Sequence, residues 1–400
     1  MRDEMSFPKK IAILTMSVGS GHVRAAEVIE RVFNEGEEPF EVQTFDAASL
    51  GPAWFRALYV RPYWWMLRRA PSLWRRLFER RQRKRHQATA PRWVFRYGCR
   101  KLFEQLKAFA PNLLIATEIG AAEIASLGKR EGWCAGPLLA VLTDFHSEPP
   151  WVQREVDFYC VASEEARSQL IGWGVSPHRL LVSGIPIDPA FALNYDRKDL
   201  RRSLGLADGR PVVLLMGGGM GPAPLDHIAR SLEQCGLPLQ VLAVTGQHAE
   251  MKARVEALHG KVALDLHVFG WSDNIPELMA ASDVLVTKPG GLTASEALAC
   301  GLPMVLTHPI PGPEERHLRY LEANGVGLAA HTLEQIPELV SRLLKSERER
   351  ERMIRRAHEL ARPDAADTVV QVARALLEKA SYIDLLASPP VRSGDSAYLM

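Results

Sequence analysis

The 400-residue chain has no run of about eighteen apolar residues, so no segment reads as a bilayer-spanning helix. Its opening, MRDEMSFPKK, lacks the apolar stretch of a secretory signal. Cysteine is scarce: Cys99, Cys134, Cys160, Cys235 and Cys300 are scattered, with no C-x-x-C spacing. That pattern argues against both a disulfide framework and a zinc site, and makes a reducing compartment the expectation. No cluster of carboxylates stands at ligand spacing near the glycine-rich turns described below, so no metal and no other cofactor is expected. A net charge of +2, with 47% hydrophobic and 24% charged residues, is an ordinary globular balance, and the length suffices for two cores.

What is present is organised around residues 283–316, DVLVTKPGGLTASEALACGLPMVLTHPIPGPEER. The β-branched apolar run 284–286 predicts a buried parallel strand. Thr287-Lys288-Pro289-Gly290-Gly291 interrupts it, and 293–298 has helical composition. The helix stops at Gly301, and 303–306 reads as the next strand. A strand, a glycine-rich loop and a helix in that order gather free backbone N–H groups and the positive end of a helix dipole at one point. That point suits a diphosphate. Glu296 falls in the first turn or just after it, within reach of two ribose hydroxyls. The alternative is an ordinary βα turn carrying a surface glutamate.

Residues 288–297 (KPGGLTASEA), followed by Pro309-Ile310-Pro311-Gly312-Pro313-Glu314-Glu315, resemble the monogalactosyldiacylglycerol synthase / processive diacylglycerol glycosyltransferase family. They are similar, more remotely, to the UDP-GlcNAc transferase that makes peptidoglycan lipid II. The resemblance spans roughly residues 9–344. It implies an α/β protein of the GT-B fold, two Rossmann-like doubly wound domains facing a central cleft, and inverting transfer from a UDP-sugar. It also implies that Gly290, Gly291, Leu292, Thr293 and Glu296 hold UDP, with the glutamate on the ribose. The family continues with GQEExN where this chain reads Gly312-Pro313-Glu314-Glu315-Arg316-His317. The family's two amide side chains, which touch sugar hydroxyls, are thus replaced by Pro313 and His317. Glu314 and Glu315 remain as donor-binding candidates, and the identity of the sugar stays open.

Upstream, a strand over 9–15, the turn Ser17-Val18-Gly19-Ser20-Gly21-His22 and an amphipathic helix over 25–33 make a first βα unit. Ligands bind beyond the carboxyl ends of such strands. His22 is either a solvated histidine capping the helix or a group that meets a ligand. The family carries a GxGH motif here, matched by Gly19-Ser20-Gly21-His22, which implies an acceptor or phosphate loop ending in a general base. Histidine, which titrates near neutrality, suits that role. A strand over 138–143 leads into Asp144-Phe145-His146-Ser147-Glu148-Pro149-Pro150-Trp151. Thr143-Asp144-Phe145 and Trp151 match the family's pattern, but Glu148 holds the family's histidine position and His146 sits two residues early. Asp144, a second catalytic candidate, either orients His22, binds the acceptor hydroxyl or caps the following turn.

Residues 54–101 carry fifteen arginines and lysines against a single acid, Glu79, and hold five of the nine tryptophans: Trp54, Trp64, Trp65, Trp74 and Trp93. Three readings compete. Nucleic acid would use arginine on phosphate and aromatics on bases; solvated helices would explain the arginines but not the tryptophans. A membrane surface explains both, because tryptophan sits at the headgroup level and arginine meets anionic lipid. The expectation is therefore an anionic membrane surface and no nucleic acid, with Trp64, Trp65, Arg80, Arg81, Arg83, Lys84 and Arg85 as contacts. The resemblance places an acceptor-side, bilayer-docking insert here as well.

Gly184-Ile185-Pro186 matches the family's GIP, and the prolines at 186 and 189 end regular structure. The expected domains are 1–185 and 186–380, with a disordered tail over 381–400. In the second domain a strand over 211–216 ends in Gly217-Gly218-Gly219-Met220-Gly221, either a phosphate cradle or a flexible loop. Strands follow at 239–245 and 266–269. The resemblance puts Phe269 and Gly270 at the uracil edge, with Trp271 there or in the core. Helices over 332–344 and 364–379 are expected to close this domain, with a mixed-charge helix over 347–356 between them.

The expected protein is an inverting UDP-sugar hexosyltransferase acting on a membrane lipid hydroxyl, diacylglycerol first, from the cytoplasmic face of the membrane as a peripheral protein. A UDP-sugar epimerase of the same fold and a non-catalytic UDP-sugar sensor stay open, since fold alone does not set function.

Overall fold

Strands that are apolar throughout bury both faces, which a parallel sheet flanked by helices provides. The computed structural model describes residues 8–83, 88–219 and 223–379. Lys84, Arg85 and the tail expected from 381 lie outside the described residues. The chain divides into two units: Met1–Ile187 with Asp364–Met400, and Asp188–Pro363.

The first unit runs β1 (Lys9–Thr15), α1 (Ser20–Glu35), β2 (Phe40–Asp46), α2 (Ala47–Leu50), α3 (Ala53–Phe55), a π-helical stretch Arg56–Val60, α4 (Arg61–Arg69), α5 (Pro71–Gln82), α6 (Arg92–Gly98), α7 (Arg100–Phe109), β3 (Leu113–Ala116), α8 (Ile119–Arg130), β4 (Leu138–Val141), β5 (Phe158–Val161), α9 (Glu164–Gly172) and β6 (Leu180–Val182). Its six strands are parallel in the order β2-β1-β3-β4-β5-β6. The strand order reverses between β1 and β3. Ligands of open α/β sheets bind at such a reversal, outside the carboxyl ends.

The second unit runs α10 (Arg197–Ser203), β7 (Val212–Met216), α11 (Leu225–Ser231), β8 (Gln240–Val244), α12 (Ala249–Glu256), β9 (Asp265–Phe269), α13 (Ile275–Ala281), β10 (Val284–Thr287), α14 (Gly291–Ala299), β11 (Met304–Leu306), α15 (Pro313–Ala323), β12 (Gly327–Ala329), α16 (Gln335–Lys345) and α17 (Glu347–Leu360). Its parallel order is β12-β11-β10-β7-β8-β9, with the reversal between β7 and β10. Asp283 locks these two strands at their starts. It accepts from Val212 N at 2.7 Å and pairs with Arg197 and Arg201 of α10.

The last helix, α18 (Ala365–Glu378), corrects the expected domain division. Its Val369, Val370, Val372 and Ala373 pack with Ile29 and Phe33 of α1 over Ile11, Ile13 and Ile115 of the first sheet. The chain therefore returns to the first unit after Pro363 instead of closing the second. Each buried valine contributes about 1.5–3 kcal/mol of apolar transfer, ample to hold this helix on that sheet. The crossing at 187/188 falls two residues beyond the expected one.

Residues 53–109 form the insert. Phe55, fully buried, joins it to the core of the first sheet, in one cluster with Leu14, Leu114 and Ala116. A Cβ at Gly51 or Gly98 would stand 2.5 and 2.3 Å from the Phe55 ring, so both positions require glycine. Phe78, Val94 and Phe95 are buried with it. Among the described residues no helix is long and apolar enough to cross a membrane.

Candidate functional site

In the first unit, α1 starts after Gly19, which provides no side-chain cap, so Ser20, Gly21 and His22 are its opening positions. Their N–H groups have no intrahelical acceptor and lie at the positive end of a sixteen-residue helix. The Nδ1 atom of His22 lies 2.5 Å from Thr143 Oγ1, just past β4. Thr143 Oγ1 in turn lies 3.4 Å from the Thr117 carbonyl, and Thr117 Oγ1 donates to the His22 carbonyl at 3.0 Å. The loops after β1, β3 and β4 are thereby tied around one imidazole. The partner of His22 Nδ1 is thus the threonine next to Asp144, and Asp144 itself stands half-buried beside it.

Glu118 caps α8, its Oε2 accepting from Ala121 N at 2.9 Å. Burial raises the pKa of this carboxyl, and the nearby His22 charge pulls it back down. A Cβ on Gly120 would stand 2.6 Å from the Tyr59 hydroxyl and 3.0 Å from Glu118 Oε2, so glycine lets the insert approach the sheet here. Tyr59 Oη pairs with Thr89 Oγ1 at 2.8 Å, and Thr89 N donates to both oxygens of Glu123, at 3.0 and 3.1 Å. Burial pushes the Glu123 carboxyl up to about 8, against the downward pull of its Thr89 hydrogen bonds.

The loop after β4 also meets the insert. Glu148, standing where the family has histidine, forms an ion pair with Arg81 of α5. This corrects the expectation that Arg81 faces lipid: its guanidinium is turned inward because a carboxylate awaits it there. His146 is buried, with Phe78 of α5 edge-on at 6.2 Å. The outer surface of the insert is different. Arg75, Arg76, Arg80 and Arg83 are exposed. Nine large apolar side chains are exposed among the described residues, and seven belong to the insert: Trp54, Leu58, Trp65, Leu73, Leu77, Trp93 and Tyr97. Such clustering marks an interaction surface, since scattered exposed apolar residues are ordinary. Trp54 and Trp93 stack on each other, while Trp64, unlike Trp65, is half-buried.

In the second unit the glycine turns collect at the β7/β10 reversal. Gly290 caps α14 without a side chain, so the N–H groups of Gly291, Leu292 and Thr293 have no acceptor within the helix. Glu296 follows in the second turn and is buried to 9% exposure. Gly218 has φ +73°, and a Cβ there would stand 2.5 Å from Lys288 Cε. A Cβ on Gly290 would stand 3.5 Å from Lys288 Nζ. A cation thus lies between the two glycine loops. It is ion-paired with Glu314, which also accepts from Ile310 N at 2.8 Å. Gly312 has φ +91° and opens α15, and its N–H donates to Glu315 at 3.1 Å. His317, at the family's asparagine position, is buried with Nδ1 3.0 Å from the Pro289 carbonyl.

Gly217 and Gly219 flank Gly218 at the end of β7, and Gly246 approaches to within 3.5 Å of Gly219 O, measured from an added Cβ. The Phe269 carbonyl accepts from both Thr245 N and Thr245 Oγ1 at 3.0 Å, which uses both its lone pairs. Gly270 is then the backbone edge left to that turn. Trp271 is 51% exposed, which places it outside the core. No group of three His, Cys, Asp or Glu able to hold a metal occurs among the described residues.

Sequence reading overlooked Thr143, Glu118 and Lys288 as site residues. Lys288 had a signal, being the charge next to Pro-Gly-Gly. Thr143 stood in the Thr143-Asp144-Phe145 match, where the aspartate drew the attention, and Glu118 had only its place two residues beyond a strand.

Residues 22–187 match the family "Monogalactosyldiacylglycerol (MGDG) synthase", and residues 196–360 match "Glycosyl transferases group 1". A processive diacylglycerol beta-glucosyltransferase of Bacillus cytotoxicus is 29% identical over 368 residues, covering 91% of this chain and 92% of that protein. A probable chloroplastic monogalactosyldiacylglycerol synthase of Nicotiana tabacum is 29% identical over 396 residues, covering 94% of this chain and 72% of that protein. Among solved structures, Acinetobacter baumannii MurG matches with a TM-score of 0.60 and 16% identity, over 92% of this chain and 99% of that one. That likeness speaks for the fold, and the two doubly wound units are those of the GT-B class. Residues 22–187 thus form a monogalactosyldiacylglycerol (MGDG) synthase domain, residues 196–360 a glycosyl transferases group 1 domain, and nine-tenths of the chain aligns with diacylglycerol glycosyltransferases at 29% identity.

Proposed function

We propose that this protein is an inverting glycosyltransferase that moves a hexose from a UDP-sugar to a lipid hydroxyl, with diacylglycerol as the acceptor. The observation that carries the reading is the likeness over nine-tenths of both chains to a processive diacylglycerol beta-glucosyltransferase. The site chemistry fits. The N–H groups of Gly291, Leu292 and Thr293, the α14 dipole and Lys288 meet the charge that grows on the leaving diphosphate, as preorganised donors do. Glu296 accepts the ribose hydroxyls, and Glu314 and Glu315 border the sugar. His22 Nε2 takes the acceptor proton while that oxygen attacks the anomeric carbon from the face opposite UDP. In this scheme backbone amides and Lys288 carry the electrostatic load, and no bound metal or other cofactor is required.

The enzyme binds the bilayer peripherally through the insert, with Trp54, Trp65 and Trp93 at the headgroup level and the exposed arginines on anionic lipid. We place it on the cytoplasmic face, a reading supported by five cysteines that are all free. The test is to incubate the purified chain with radiolabelled UDP-hexoses and diacylglycerol-containing vesicles, then extract the lipid. Labelled glycolipid is expected, and His22→Ala should lower its formation by about 10²–10⁴-fold. UDP-sugar converted to its epimer with no labelled lipid would overturn the proposal.

A further inference from the structure

We propose that Thr143 is the positioning residue of His22: its hydroxyl accepts the Nδ1 proton of the imidazole and thereby keeps Nε2 unprotonated as the base. The inference rests on His22 acting as the base of the proposed transfer. It is argued from three contacts.

A threonine hydroxyl has one proton. Thr143 Oγ1 stands between His22 Nδ1, at 2.5 Å, and the Thr117 carbonyl, at 3.4 Å. A carbonyl oxygen carries no proton and can only accept. When the Thr143 proton is directed to Thr117, the imidazole must supply the proton of the shorter contact. Nδ1–H then faces Thr143, and the lone pair resides on Nε2. The other contact closes the circuit: Thr117 Oγ1 donates to the His22 carbonyl at 3.0 Å, so the backbone that carries the ring is fixed by the segment that receives the relay. Thr143 is 4% exposed and Thr117 fully buried, so water does not compete for these atoms.

The arrangement places a neutral hydroxyl where many histidine bases have a carboxylate. A hydroxyl fixes the tautomer as a carboxylate does but brings no charge to the ring. The buried Glu118 carboxyl, next in sequence to Thr117, is near enough to feel the charge of His22 and is one source of counter-charge for the imidazolium formed during transfer.

The test reads the tautomer directly. In full-length protein labelled with ¹⁵N-histidine, long-range ¹H–¹⁵N spectra distinguish Nδ1–H from Nε2–H rings, and a His22→Gln sample identifies the His22 signals. Wild type is expected in the Nδ1–H form. Thr143→Val, nearly isosteric, should shift His22 towards Nε2–H and lower kcat by roughly tenfold or more. KM for the UDP-sugar should be unchanged. Thr143→Ser, which keeps the hydroxyl, should restore both tautomer and kcat. A wild-type ring already in the Nε2–H form overturns the proposal, as does a valine variant with wild-type tautomer and kcat. If wild type makes no glycolipid but shows the tautomer and its loss in Thr143→Val, the transferase reading fails and the positioning stands.

Discussion

Arg81 in α5 and Glu148 in the loop after β4 form an ion pair across 67 residues of sequence, with side-chain exposures of 19% and 12%. The pair fastens the insert to the loop that carries Thr143 and Asp144. It also separates one arginine of the insert from its exposed neighbours.

Breaking this pair should loosen the insert. Glu148→Gln leaves a mostly buried guanidinium without its counter-charge, which costs about 3 kcal/mol. The thermal midpoint should fall, and trypsin should cut sooner at Arg75, Arg76 and Arg80. Removing both charges, as Arg81→Met with Glu148→Leu, should recover most of the loss. A wild-type melting curve for Glu148→Gln would show that the pair does not clamp the insert.

Stability should decline with rising pH through Glu123. Burial holds its carboxyl up to about 8 in the folded chain, against an ordinary glutamate value of 4.5. The native state therefore keeps a proton that the unfolded chain releases near 4.5. The contribution is complete below that pH and is lost as the pH climbs through about 8. Glu118, also raised by burial, acts in the same direction. Thermal midpoints recorded from pH 5 to 9 should fall, and Glu123→Gln, a neutral mimic, should flatten the fall. An equal slope in wild type and variant would remove Glu123 from the effect.

Glu296→Ala should weaken UDP binding tenfold or more while the fold persists. Two charge-assisted hydrogen bonds to the ribose are at stake, each contributing about 1.5–3 kcal/mol. Isothermal calorimetry checks this, and unchanged affinity would take Glu296 out of the donor site.

Vesicle binding should divide between two kinds of residue. Replacing Arg75, Arg76, Arg80 and Arg83 with glutamine, Arg81 being left in place, should remove most of the dependence on anionic lipid and on salt. Each such arginine contributes about 1 kcal/mol near the surface, screened over roughly 8 Å in physiological salt. Trp65→Ala with Trp93→Ala should weaken binding in a way that salt hardly alters. Calorimetric UDP affinity should stay constant in both variants. Equal wild-type binding to neutral and anionic vesicles would exclude the electrostatic part, and tight salt-sensitive RNA binding without vesicle binding would exclude the membrane assignment.

Local pattern determined much of this protein. Apolar runs marked the strands at 9–15, 138–143, 211–216, 239–245, 266–269, 284–286 and 303–306, because a strand buried between helices needs no partner's identity to be recognised. The three-residue β12 escaped, being too short for a period. The turns at Gly19–Gly21, Gly217–Gly219 and Gly290–Gly291 were legible because glycine records backbone demands in the sequence itself. Composition likewise announced the insert.

Tertiary structure alone decided which surface each element met. An amphipathic period says that α18 has an apolar face but not that the face covers the first sheet instead of the second. Fifteen basic residues in one segment do not reveal that Arg81 turns inward, because its partner Glu148 comes from a distant loop. The TDF run drew attention to its aspartate, and only the fold shows that its threonine also reaches His22, since side-chain direction at a strand's end is set by the neighbouring strands. Lys288 and Glu314 find each other 26 residues apart for the same reason. Hydrophobic periodicity and glycine are written locally, whereas a charge or hydroxyl takes its role from whatever the fold places within about 3 Å of it.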